Sequence, residues 1–265
     1  MSPRLRVWLV VGAAAVAVAA IAVGVTVATR SDVDKETGKA PPFVADPTAP
    51  AEISRDVREA LRAWPAGTVR RLRILAARYP HSGLVRLELG LALAFGGNET
   101  DASRAWHESR RVQPDSPSAV RATDLLHPGT PPGLPPFVPT FTRARTAVQR
   151  HLLRGIAFQQ ALRPLSAERE FAAAARAAPN DPEALAAEAV GLYDKERPAR
   201  AFSRLGPLAR RFPHSQTVRF HLGLLLIYFG DLAQAKRELG LARAEGPGTP
   251  LGKRAQTLLK AAGKR

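Results

Sequence analysis

The sequence predicts an all-α fold, a tandem array of helix pairs, and three observations carry that prediction. Gly155, Ala189 and Gly223 stand 34 residues apart, as do Ala167, Ala201 and Ala235, then Phe171, Leu205 and Leu239, then Pro179, Pro213 and Pro247. A longer repetition is laid over this one, because Pro80-His81-Ser82 and a series of later residues recur at an offset of 133 from Pro213-His214-Ser215 onward. Composition agrees: 45% of residues are hydrophobic but only 6% aromatic, with much Ala, Leu and Arg and no long β-branched alternating run, which favours helices over strands. A fixed step of this size marks an array in which each unit buries its apolar face against its neighbours.

Each unit reads as two helices. A small residue (Gly155, Ala189, Gly223) lets the first helix approach its mate, and Phe158, Leu192 and Leu226 share its face three residues on. A small Ala opens the second helix, a large residue four later (Phe171, Leu205, Leu239) fills the space between the pair, and a closing Pro ends the unit. These columns match the small, Ala, large and Pro marks of a 34-residue helix-turn-helix. The chain thus resembles the tetratricopeptide repeat family over most of its length after residue 50. It departs where the family places a Trp, here His151, Leu185 and Arg219.

The 133-residue offset extends the array. Residues 83 to 116 form another good unit, with Gly90, Ala102, Trp106 and Pro114 in the diagnostic columns. Residues 49 to 82 form a degenerate unit in which Asp56 and Thr68 take the two small-residue columns. Extra helices at about 117–126 and 250–262 are expected to cover the last apolar faces. The organisation expected is a basic tip at 1–6, a membrane span at 7–29, a flexible tether at 30–50, a first block at 51–126, a proline-rich connector at 127–140 and a second block at 141–262. The connector, HPGTPPGLPPFVPT, has too many prolines for a helix and favours extended, polyproline-like backbone.

Val7 to Thr29 carries no charge over 23 residues, which at about 1.5 Å per residue crosses a hydrocarbon core of roughly 30 Å. Its length points to an uncleaved anchor rather than a cleaved signal peptide. Arg4 and Arg6 before it favour a cytoplasmic amino terminus and a carboxyl-terminal domain outside the membrane. The formal net charge of +16, and of +13 without Arg4, Arg6 and Arg30, suits an anionic partner or an Arg-rich solvated surface equally well.

No arrangement in the sequence points to chemistry. With no Cys in the chain there can be no disulfide, thiolate metal site, Cys nucleophile or acylated Cys. The six histidines make no H-E-x-x-H spacing, and Ser elbows and phosphate loops are lacking. Glu168, Glu170 and Glu183 read as ordinary surface carboxylates beside basic residues. The expectation is therefore a protein that is not an enzyme and uses no cofactor and no metal.

In the family the first helices line a concave face, and the resemblance places Leu152, Ile156, Gln159 and Gln160, then Ala186, Val190 and Tyr193, then Phe220, Leu224, Ile227 and Tyr228 on it. Such a face suits an amphipathic helix or an extended apolar peptide, unless packing or the chain's own proline-rich segment fills it. The Lys, Arg and Asn cluster with which some family members hold an acidic carboxyl terminus is missing. A second candidate surface is basic: Arg70, Arg71 and Arg73 in one block, and Arg200, Arg204, Arg210 and Arg211 in the other, fall on second helices. The expected function is a membrane-tethered scaffold or assembly factor that binds segments of other envelope proteins in its groove. The alternative is a binder of anionic membrane surface or acidic polymer through the arginines. Nucleic acid is not expected, since few aromatics interleave with them.

Overall fold

The computed structural model describes residues 40–263, and among them it contains twelve helices and no strand. The basic tip and the apolar run 7–29 lie outside the described residues. Among those described, no helix is long and apolar enough to cross a membrane. The chain divides between Gly129 and Thr130 into two compact units, each with its own core.

The first unit holds α1 (Ala51–Leu61), α2 (Thr68–Arg78), α3 (Gly83–Phe95), α4 (Glu99–Val112) and α5 (Pro117–Leu126). The second holds α6 (Ala147–Gln160), α7 (Pro164–Ala177), α8 (Pro182–Gly191), α9 (Ala199–Arg211), α10 (Gln216–Phe229), α11 (Leu232–Glu245) and α12 (Pro250–Gly263). Within each unit successive helices pack on one another, giving five pairs in all and, after each set, one single helix at the predicted capping position. The local signals are where the sequence put them. Helices α2, α4, α7, α9 and α11 each end two residues before Pro80, Pro114, Pro179, Pro213 or Pro247, because a proline restricts the residue before it and cannot continue the helix. Side chains of Ser82, Asn98, Ser116, Thr146, Asp181, Ser215 and Asp231 accept from the free N–H groups that open the following helices.

The small-against-large packing holds within the pairs. A methyl group added at Gly90 would overlap the Trp106 ring, one at Gly155 the Phe171 ring, and one at Gly223 the Leu239 side chain. The paired helices run antiparallel: Gln216, at the start of α10, donates to Ala242 O near the end of α11 at 2.8 Å, while Gly223 meets Leu239 further in. Leu72, Leu84 and Leu87 in the first core, and Phe171, Leu205, Leu225 and Leu239 in the second, are all but fully buried.

Two expectations need correction. From residue 40 on, the predicted tether is part of the first unit: Pro41, Val44 and Asp46 are buried against its helices. The proline-rich connector is extended as predicted, but from Thr130 it belongs to the second unit, with Phe137 and Val138 inside that core. In both cases Phe and Val side chains among the prolines supply the apolar area that a freely solvated linker lacks.

The close approach in α6 can be tested. Gly155→Ala should cost about 1–3 kcal/mol through overlap with Phe171. The control, Gly240→Ala in α11, meets open space at that position and should be neutral or stabilising by up to about 1 kcal/mol. Urea unfolding of the two variants measures the contrast.

Candidate functional site

In the second unit, the first helices of the three pairs, α6, α8 and α10, together hold residues 131–140 as an extended strap. The strap is read through its backbone. Tyr228 Oη donates to Leu134 O at 3.1 Å, and Gln159 Nε2 donates to Pro135 O at 3.1 Å. Gln159 Oε1 accepts from Phe137 N at 2.9 Å, and His221 Nε2 accepts from Val138 N at 2.9 Å. Glu183 accepts from both the N–H and the hydroxyl of Thr140, the latter at 2.9 Å. Leu134 and Pro135 lie at the carboxyl ends of α10 and α6, and Thr140 lies at the amino end of α8, so the strap runs opposite to the helices that bind it. Its Phe137 ring stacks on His221 with centroids 4.6 Å apart and tilts against Phe171 at 5.5 Å. A space of only about 10 Å³ is left where Leu134 and Pro135 meet Gln159, Val190 and Tyr193, no more than one water could use.

His221 is fully buried, and its two nitrogens have separate tasks. Nδ1 lies 2.7 Å from Thr217 O, one turn earlier on α10, and must donate there because Nε2 accepts from Val138. The ring is therefore neutral and in one tautomer. Burial away from water lowers its pKa to about 4, with Arg254 of α12 adding to the depression and the Thr217 bond opposing it.

The first unit repeats the device. Its strap carries the tetrapeptide Pro41-Pro42-Phe43-Val44, and the second carries Pro135-Pro136-Phe137-Val138. Val44 N donates to Glu88 Oε1 at 2.6 Å, and Glu88 stands 133 residues before His221, in the same column of the duplication. Further along, Asp46 Oδ2 accepts from Ser118 N at 3.1 Å at the amino end of α5, a favourable place for a carboxylate. Arg58 covers the Phe43 ring at 4.4 Å. Glu88 is fully buried, and its Oε2 has no hydrogen-bond partner among the described residues. Burial raises its pKa to about 8, against the opposing pull of the Val44 N–H.

Of the residues placed on the groove from the sequence, Gln159 and Tyr228 bind the strap directly. Leu152, Val190, Tyr193, Phe220, Leu224 and Ile227 are buried. Tyr193 donates to Tyr228 O at 3.3 Å and meets its ring edge-on at 5.7 Å. Ile156 is half-buried, and Gln160 is exposed and makes none of the strap contacts above. The reading of Glu183 as an ordinary surface carboxylate is corrected: it is half-buried on Thr140, and burial raises its pKa. Sequence reasoning missed Glu88, His221 and Glu183 as strap acceptors. The signal that finds them is the tetrapeptide written twice, aligned with a polar residue inside each apolar first helix. The arginines are placed differently. Arg70, Arg71, Arg73, Arg204, Arg210 and Arg211 are exposed and Arg200 is half-buried. Part of their charge is met within the chain, Arg200 lying 3.1 Å from Glu168, Arg73 3.9 Å from Asp101 and Arg71 4.0 Å from Glu59.

The two acceptors should give the units opposite pH dependence. Glu88 keeps its proton in the folded state after the unfolded chain loses it near 4.5, so its contribution declines as pH rises from about 4.5 to about 8. His221 stays neutral when folded while the unfolded chain gains a proton near 6.5, so its contribution declines as pH falls from about 6.5 to about 4. Each slope has a ceiling of about 1.4 kcal/mol per pH unit. Glu88→Gln, which keeps the acceptor for Val44, should flatten the first decline and leave the second; denaturant unfolding at pH 4.5, 6.5 and 8.5 checks both. Compared with family models, curated proteins and solved structures, the chain returns no match.

Proposed function

We propose that the chain is a non-enzymatic scaffold or assembly factor of the tetratricopeptide type, a helical solenoid in two blocks tethered to a membrane by residues 7–29. Its carboxyl-terminal domain lies outside the cytoplasm and holds polypeptide segments of partner envelope proteins on the face formed by its first helices. The observation that supports this reading best is the strap. Gln159, Tyr228, His221 and Glu183 all point polar atoms at one extended backbone, and that arrangement is a peptide-binding groove by its chemistry. The 34-residue step, the small-against-large packing and the capping helices support the family assignment.

The alternative, an anionic surface gathered by the arginines, is kept because Arg70, Arg204 and Arg210 stand exposed on second helices. Salt separates the two, since exposed charge is screened at high ionic strength and groove burial is not. Detergent-solubilised full chain should capture an envelope protein that stays bound at roughly 1 M salt, where the Debye length is about 3 Å. Gln159→Ala with Tyr228→Ala, at unchanged helicity, should lose that protein. Equal capture by parent and variant, released by salt, would transfer the function to the arginines.

A further inference from the structure

We infer that the groove of the second unit is a receptor for extended Pro-Pro-aromatic-Val segments of partner proteins, and that Pro135–Val138 is a resident copy which such a segment replaces. This rests on the scaffold reading above and names its ligand.

The spacing of the two tetrapeptides carries the argument. The helices of the two units match at an offset of 133, but Pro41 and Pro135 are only 94 residues apart. In the second unit the pair α6/α7 stands between the tetrapeptide and the matching helices; in the first unit it has no counterpart. Even so, the valine N–H of each copy reaches the same column, Glu88 in one and His221 in the other. The seat follows the motif rather than the position along the chain, as recognition of a motif requires.

The chemistry of the seat defines what fits. Two prolines in succession bring no N–H that would need a partner, and they hold the backbone extended before binding, which lowers the ordering cost. The aromatic ring is taken between His221 and Phe171. The next residue must own an N–H, because His221 Nε2 accepts it in a fully buried place, and a proline there would strand that nitrogen. The prolyl carbonyl two residues before the aromatic is fixed by Gln159 Nε2, and the aromatic's own N–H by Gln159 Oε1. Being tethered, the resident copy acts as a competitor at an effective concentration in the millimolar range. A free segment therefore binds the parent weakly, and any change that unseats the resident copy strengthens its binding.

The test uses the detergent-solubilised full chain and a fluorescent peptide of sequence GLPPFVPTF, its own residues 133–141. Two variants unseat the strap, Phe137→Ala and Val138→Pro. At least one, with parental helicity, should bind the peptide at least about tenfold more tightly than the parent. Binding should vanish when the peptide's valine is replaced by proline, when its phenylalanine is replaced by alanine, or when Gln159→Ala is added to the variant. Failure of the helical variants to bind, or equal binding of the valine-to-proline peptide, would overturn the inference. Loss of helicity in both variants would make the strap plain core and overturn it too, and a variant that dimerises in place of binding would make a second copy the occupant. If the peptide fails while partner capture still depends on Gln159 and Tyr228, this inference falls and the scaffold reading stands; if capture is indifferent to the groove, both fall.

Discussion

A helix that is apolar around its whole circumference must be covered on more than one side, and this constraint accounts for the straps. Helix α10, QTVRFHLGLLLIYF, buries Thr217, Val218 and every residue from Phe220 to Tyr228; α3, GLVRLELGLALAF, buries almost as much. Their pair mates cover one side, with Leu239 against Gly223 and Trp106 against Gly90. The opposite side would face water unless something lay on it. An extended segment rich in proline suits that place because its prolines carry no backbone N–H that needs a partner.

Once the cover is a polypeptide backbone, its remaining N–H groups need acceptors in a dry place, and that demand explains polar residues inside otherwise apolar helices. Glu88 and His221 answer it with different chemistry. The imidazole is satisfied at both nitrogens, by Val138 and by Thr217. The carboxyl is satisfied at one oxygen only, and the unpartnered Oε2 carries the penalty of a buried polar atom, about 1–3 kcal/mol. Both groups are neutral for the same reason, since ionisation in either place would leave a charge without water. The same burial therefore shifts an acid upward and a base downward.

Much of this was legible in the chain. The 34-residue step located the pairs, the closing prolines located their ends within two residues, and the small and large columns met as the spacing required. Periodicity reports on what each unit shares with its neighbours, and the site is made of what they do not share. His221 stood as one of six histidines without metal-ligand spacing, and Glu183 as one surface carboxylate among several, because an acceptor is defined by a donor from a distant, non-helical part of the chain. Residues 40–50 and 127–140 were read by their prolines as linkers. Their Phe and Val residues were the contrary evidence, and only packing shows that one Phe and one Val suffice to seat each strap.

The comparison between the two units shows how a repeating frame acquires a site. Gln159, Tyr193 and Ile227 fall in one column, 34 residues apart, near the carboxyl ends of α6, α8 and α10. In the first unit the residue 133 before Ile227 is Ala94, which has no side-chain group to offer a backbone. Gln159 comes from the pair that the first unit lacks, and it alone fixes two backbone groups of the strap. Tyr228 has Phe95 as its counterpart, again without a hydroxyl, and Phe95 is 45% exposed. Beyond the acceptor that both units share, Glu88 in one and His221 in the other, the second strap thus has polar readers that the first lacks. The fold is specified by the columns that repeat, and the recognition of backbone by the polar residues that replace apolar ones in them.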